Sequence, residues 1–285
     1  MAGRRRTVAL TGCAALIAVL AACGPGRPGP ASPSAGSSPS AGGSPSAEAQ
    51  PTDRSPHGVM LSAVQAMDTA RRARISYRIA GTGGGQGDSA DGILYWAPKT
   101  IMQLKWSTPG ATNQLIVLDT ACYQGGDAAT AERLGGPHWE KCGAGAGPDG
   151  HPQPPYSALA DRLNPLAAVA AAADTASVQL LGEEKLADTA VEHYRATVSV
   201  ADYAAAHNQL TDARRRQLVA TLSPGGVGTL TLDLWLNDKD QLVQLHRTGQ
   251  GGTGELDDTV QYRDFGGAFS VQAPPESDVR DAATP

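Results

Sequence analysis

Lysine is scarce in this chain, five residues against eighteen arginines, and cysteine is scarcer still, with four. The residue patterns of common catalysis are missing as well. No CxxC pair, HExxH, GxSxG, SxxK or phosphate-binding P-loop occurs, which removes the motif-borne forms of redox, zinc, serine-hydrolase and nucleotide chemistry. Gly145-Ala146-Gly147-Pro148-Asp149-Gly150 matches GxGxxG literally, yet it follows no clear strand, opens no helix and contains a proline, so it reads as a loop. The histidines, His57, His138, His151, His193, His207 and His246, are scattered without i,i+4 spacing, and the Glu192 beside His193 does not make a ligand pattern, so neither a metal site nor a cofactor is expected. Long apolar runs are absent except for Val8 to Ala22, which at 15 residues is short for a permanent membrane span. The arginine bias, with abundant Ala, Gly and Pro, is the composition of a GC-rich genome such as an actinobacterium's.

That one apolar run follows Arg4, Arg5 and Arg6 and reads as an export signal over residues 1–22. Arg5-Arg6 leaves a twin-arginine route open beside the general secretory one. Leu20-Ala21-Ala22 suits the general signal peptidase, and Leu20-Ala21-Ala22-Cys23 also resembles the lipobox of bacterial lipoproteins, whose cysteine is diacylated on sulfur. The resemblance implies lipid attachment at Cys23 and a mature chain anchored at the outer face of the cytoplasmic membrane. Burial stabilises by about 0.8 kcal/mol per CH₂, so two acyl chains hold where one dissociates. Without the signal, 20 Lys and Arg stand against 28 Asp and Glu, a formal charge of −8 that invites no nucleic acid. Cys122 and Cys142 remain, and in an oxidising compartment they are expected to pair. Closing the 19 intervening residues restricts the unfolded chain by about 3 kcal/mol on the chain-entropy account.

From Gly24 to Gly58, 28 of 35 residues are Pro, Gly, Ser or Ala. With nothing to bury, residues 23–58 are expected to form a disordered, lipid-tipped stalk with a reach of about 30 Å. Residues 59–280 form the domain and 281–285 a tail. The domain opens on an amphipathic helix carrying Met60, Val64 and Met67, then changes to period two: strands around Ile75–Ile79, Ile93–Trp96, Met102–Trp106, Leu115–Leu118 and Cys122-Tyr123. A Gly/Pro passage, Gly143 to Pro155, leads to a helix over Tyr156–Ala173 that Pro165 breaks or kinks. Strands around Val178–Leu181 and Glu192–Val200, a helix over Ala201–Leu222, and strands at Thr229–Leu236, Leu242–Arg247 and Val260–Phe265 complete an α+β domain with a helical middle.

In Thr229–Leu236 the leucines Leu230, Leu232, Leu234 and Leu236 fall on one face, with Thr229, Thr231, Asp233 and Trp235 on the other. One face is buried and one is wet. The leucine face either meets packed helices or lines a ligand cavity.

The order of elements, with Tyr123, His138-Trp139-Glu140-Lys141, Gly182-Glu183-Glu184-Lys185-Leu186-Ala187-Asp188, His193-Tyr194, Leu232-Asp233-Leu234-Trp235-Leu236-Asn237-Asp238 and Tyr262-Arg263-Asp264-Phe265-Gly266, resembles actinobacterial lipoproteins of the LolA-like fold, of the LppX and LprG type. The resemblance implies a strongly curved antiparallel sheet, a half-open barrel, wrapped over central helices. It implies binding or carriage of a hydrophobic ligand, a lipid or lipoglycan, without catalysis, and makes the four leucines cavity candidates. The alternative is an anchored protein-interaction or sensor module with a filled core. The implied partners are the membrane, a lipid and, in the alternative, an envelope protein; the chain is expected to be a monomer.

Other chemistry-bearing residues have plainer readings. Glu183-Glu184 and Asp257-Asp258 sit in turn-like polar settings and read as solvated charge. Arg214-Arg215-Arg216 reads as a solvated helix face, with an anionic-headgroup patch as the alternative. Asn237-Asp238-Lys239-Asp240 is a turn lacking the glycine and distal glutamate of a calcium loop. Trp96, Trp106, Trp139 and Trp235 lie on or beside strands, as packing residues or as a ligand mouth.

Overall fold

The computed structural model describes residues 53–79, 88–108, 111–119, 121–143, 145–146, 152–153 and 156–281, all within one compact unit. The signal, Cys23, nearly all of the stalk, Gly81–Gly87 and most of the GxGxxG match lie outside the described residues.

Helix α1 (Pro56–Ala70) begins inside the stretch that composition assigns to the stalk. Ser55 caps it by accepting from Gly58 N, Pro56 supplies a preset φ, and Val59, Met60, Ala63, Met67 and Ala70 form its buried face. Strands β1 (Arg72–Ile79), β2 (Asp88–Tyr95), β3 (Ile101–Thr108), β4 (Ala111–Val117) and β5 (Cys122–Gly125) follow as antiparallel neighbours. A short helix α2 (Ala128–Leu134), strand β6 (Trp139–Lys141) and a two-stranded ribbon, β7 (Gly145–Ala146) with β8 (Pro152–Gln153), lead to α3 (Ser157–Leu163) and α4 (Pro165–Asp174). The expected helix over Tyr156–Ala173 is thus two, broken at Pro165, with Asn164 capping the second through Leu166 N.

Strands β9 (Gln179–Leu186) and β10 (Thr189–Ser199) precede α5 (Val200–Ala206) and α6 (Asp212–Leu222). The single helix expected over Ala201–Leu222 is divided because Thr211 caps a new start by accepting from Arg214 N. Strands β11 (Thr229–Leu236), β12 (Leu242–Gln250) and β13 (Glu255–Arg263) then form a meander, and β14 (Val279–Arg280) pairs parallel with β6.

The two strand groups fuse through β1 and β13 into one unclosed twelve-stranded sheet in the order β14-β6-β5-β4-β3-β2-β1-β13-β12-β11-β10-β9. A twisted sheet of that width curls; here it curves strongly over the helices, with α4 against β10, β11 and β12 and α1 against α4. The register puts one inward row across four strands: Ala196, Leu232, Arg247 and Asp258. A second row joins Tyr194, Leu234, Leu245, Val260 and Tyr77. Gly92 belongs inside as well, where an added Cβ would meet Gln103 O at 1.9 Å, so no larger residue fits its place between β1 and β3.

The interior is filled. Met60, Met67, Ile75, Leu94, Leu163 and, on β11, Leu230, Leu232 and Leu234 are all fully buried; a side chain that a water-sized sphere cannot touch borders no water-sized void. The core also contains charge. Arg247 and Asp258 form a two-point ion pair, Nε to Oδ1 at 2.8 Å and Nη2 to Oδ2 at 3.0 Å; Arg162 Nε adds a bond to Asp258 Oδ2 at 2.6 Å, and Arg247 Nη1 donates to Tyr203 Oη at 2.7 Å. Asp258 is therefore not the solvated charge its sequence neighbourhood suggested. Strand alternation turns Asp257 outward, to His246, and Asp258 inward.

Candidate functional site at one rim of the sheet

Register places several distant segments along one rim. Arg72 opposes Tyr95, Tyr95 opposes Ile101 and Met102 opposes Val117, so the turns after β2 and β4 lie together. The start of β12, the end of β11 and the start of β10 belong to the same rim through Gln244 opposite Gln261 and Glu192 opposite Leu236. The chain also enters the domain here: Arg54 donates to Glu192 Oε2 at 2.7 Å and to Asp240 Oδ1 at 2.8 Å.

At this rim a cleft of about 440 Å³ separates the sheet from the helices. Its sheet wall carries Trp96, Pro98, Lys99, Val117, Leu118 and Asp119; its helix wall carries Ser157, Asn164, His207, Gln209, Leu210 and Arg214. Trp96 is fixed by its indole N–H, which donates to Met67 O at 2.9 Å. Lys99 pairs with Asp119, and Arg214 grips Asp161 through both Nε and Nη2. Each cation at the cleft thus has its own anion. Burial raises the Asp161 carboxyl to about 6, only partly offset by Arg214.

Asn164 and His207 are both 5% exposed. Asn164 Oδ1 accepts from Leu166 N, so its amide Nδ2 is the atom that meets His207 Nε2 at 2.9 Å. Burial first, then Arg214 and Arg215, holds the imidazole down to about 4, so it is neutral at pH 7. With Nε2 accepting, its proton is on Nδ1.

The other expected residues are placed elsewhere. Leu230, Leu232, Leu234 and Leu236 pack in the core; Leu236 also borders a depression of about 510 Å³ on the outer side of the β9–β10 turn, with Arg54, Glu184 and Asp238. Cys122 and Cys142 are joined, S–S 2.07 Å, linking β5 to the residue after β6. Of the arginine run, Arg215 pairs with Asp212 and Arg216 is exposed. Trp106 donates to Tyr77 Oη at 3.2 Å.

The outer face of β9, β10 and β11 holds a second polar cluster, invisible in sequence because its members are spread over three strands, with Glu184 and Trp235 51 residues apart. His193 has Nδ1 2.7 Å from Glu184 Oε1 and Nε2 2.7 Å from Asp233 Oδ1, and it stacks on Trp235 with ring centroids 4.2 Å apart. Trp235 Nε1 donates to Glu184 Oε2 at 2.9 Å and Arg195 Nε to Asp233 Oδ1 at 2.8 Å. Both imidazole nitrogens are occupied by carboxylates, so the ring offers neither a lone pair nor a proton to a substrate. Among the described residues no group of three or more His, Cys, Asp or Glu is arranged to hold a metal ion, and no helix is long and apolar enough to cross a membrane.

No protein-family model matches the chain. It is 31% identical over 104 residues to an uncharacterized 31.2 kDa protein of the rplA–rplJ intergenic region of Streptomyces griseus, covering 36% of this chain and 34% of that one. It is 27% identical over 162 residues to a candidate lipoprotein of Streptomyces coelicolor, covering 53% and 45%. The chain thus spans between a third and a half of the length of these relatives. Among solved structures it is similar to LprF from Mycobacterium bovis, with TM-score 0.48, 14% identity and coverage of 77% of this chain and 96% of that one. The lipoprotein LppX from Mycobacterium tuberculosis gives TM-score 0.47, 13% identity and coverage of 77% and 100%.

Proposed function

We propose that this is a membrane-anchored extracytoplasmic lipoprotein that binds an amphiphile without chemistry, seating the ligand's apolar part in the rim cleft. The observation that carries the reading is the cleft itself: Trp96, Val117 and Leu118, beside Lys99 and Asp119, face Asn164, His207 and Leu210 across a space of about 440 Å³, within the usual range for small-ligand sites. The filled interior argues for the rim as the seat, because a ligand reaching Leu230, Leu232 or Leu234 would have to displace core side chains. The candidate lipobox and the likeness to a candidate lipoprotein support the anchor. Acyl chains on Cys23, thirty residues upstream of Asp53, keep the domain within tens of ångströms of one leaflet.

A lipid carrying a photoreactive group on its acyl chain tests the site. Incubated with the mature chain and irradiated, it should label Trp96, Leu118 and Leu210; labelling spread evenly over the outer sheet face, or none, would reject the cleft. Cys23→Ser should release the protein into the medium, and retention on the membrane would count against the anchor.

A second reading, an anchored protein-interaction module, is favoured by one observation. β9 terminates the sheet, its outer edge has no strand partner among the described residues, and it carries Leu180 and Leu181 at 47% and 45% exposure.

A further inference from the structure

The cleft has a feature that its apolar residues do not require, namely a buried hydrogen-bond donor on one of the side chains that line it. His207 is 95% enclosed and lines the cleft. Its Nε2 is consumed by Asn164, and Asn164 is in turn oriented by the backbone of α4, so the tautomer is locked with the proton on Nδ1. That N–H has no partner among the described residues, and it is not one of the fully enclosed orphan atoms, which are Arg72 Nε and Gln217 Oε1. A buried donor without an acceptor destabilises the fold. A fold retains such a group at little cost only where water or a ligand oxygen meets it.

Charge decides what kind of oxygen. Lys99 is matched by Asp119 and Arg214 by Asp161, so the cleft has no spare cation to offset a buried carboxylate or phosphate. The cost of desolvating an anion there would not be offset by a partner of opposite charge. An ester carbonyl or a hydroxyl accepts the same hydrogen bond without that cost.

Building on the amphiphile reading of the cleft, we propose that His207 Nδ1–H selects amphiphiles whose head presents an uncharged acceptor oxygen, such as an acylglycerol, over those with an anionic head or a head lacking an acceptor. The imidazole is neutral at pH 8, and there the Asp161 carboxylate that matches Arg214 is ionised as well, so the preference should be fullest at pH 8 and weaken as Asp161 takes up its proton near pH 6.

Three probes with one chain length separate the terms: monododecanoylglycerol, dodecanoate and dodecyltrimethylammonium, titrated against the mature chain by calorimetry below their micelle concentrations. The acylglycerol should bind about tenfold tighter than either charged probe, the worth of one hydrogen bond of about 1.4 kcal/mol. His207→Phe should abolish that advantage while leaving the trimethylammonium probe unchanged. His207→Gln can still accept from Asn164 and donate into the cleft, and should restore the preference. Should His207→Phe fail to fold, the wild-type protein suffices: the ¹⁵N resonance of Nδ1 should report a protonated nitrogen that shifts with the acylglycerol and not with the ammonium probe. Equal binding of all three probes, insensitive to His207→Phe, overturns the selectivity and leaves the cleft as an amphiphile site. Tightest binding of dodecanoate, lost on changing Lys99 or Arg214, overturns it in favour of an anion site. Binding of none of the three overturns both proposals.

Discussion

The two faces of the sheet over β10–β13 each carry a carboxylate shared by two basic groups, and they differ in depth. On the inner face Asp258 serves Arg247 and Arg162, and Arg247 is fully buried. On the outer face Asp233 serves His193 and Arg195, but the Arg195 side chain is 46% exposed and Glu184, the other partner of His193, is 45% exposed. The bond lengths are nearly the same. What differs is the medium: Arg195 and Glu184 on the outer face can exchange a lost partner for water, and the inner groups cannot. Similar geometry should therefore give very different energetics.

The largest test of that difference is one conservative change on each face. Asp258→Asn keeps the shape and leaves Arg247 charged in a dry core, so about 3–5 kcal/mol of stability should be lost in chemical denaturation. Asp233→Asn should cost about 1–2 kcal/mol, because Arg195 turns to solvent. Equal losses would break the comparison. Arg247→Met combined with Asp258→Leu should recover most of the inner loss, since a buried pair exchanged for apolar residues of similar volume is often neutral.

The inner pair also shows where sequence reading stopped. Strand β11 is legible over Thr229–Leu236 because its alternation has an unambiguous apolar face, and the break at Pro165 is legible because the lost N–H and ring clash are local effects. The start of β13 at Glu255 is not, since Asp257-Asp258 imitates a turn; what makes Asp258 an inward residue is Arg247, eleven positions away on another strand. The split between α5 and α6 depends on a cap at Thr211 competing with helix propagation, and α2 and β6 are too short to show a period. The cleft was invisible for the same reason as the outer cluster: its walls come from residues 96–119 and 157–214, assembled only by rim register. One local signal existed. Asn before Pro165 is a helix-cap pattern, and it is Asn164 that fixes His207.

The helical layer offers a sharper version of the depth argument, because two of its buried groups titrate in opposite senses. His207 is held near 4 against an ordinary 6.5, so its contribution to stability is complete above pH 6.5 and is lost as pH falls through about 4. Asp161 is raised to about 6 from 3.8, so its contribution is complete below pH 3.8 and is lost as pH rises through about 6. Between pH 4 and 6 the two oppose each other. His207→Asn should therefore gain stability as pH falls across that window, by about 2–3 kcal/mol, and Asp161→Asn should lose a similar amount. Denaturation midpoints measured at pH 4, 5 and 6 check this; parallel curves for the two variants would show that burial is not what sets these two groups.

The smallest expected effect lies at the sheet's edge, where the outer cluster reaches β9. Glu184 accepts from Trp235 and contacts His193, and these bonds hold its carboxyl below the usual carboxylate range, the Trp235 indole first and the His193 ring second. The carboxylate is nevertheless open to solvent, and exposed pairs of this kind are worth little. Glu184→Gln retains the oxygen that accepts from Trp235 and removes the charge facing His193. Denaturation should register little change, while fluorescence quenching of Trp235 by acrylamide should rise as the stacked pair loosens at the β9 side. A stability loss matching that of Asp258→Asn would mean that the edge strand is held by charge and not by its backbone ladder to β10, and would erase the distinction between the two faces.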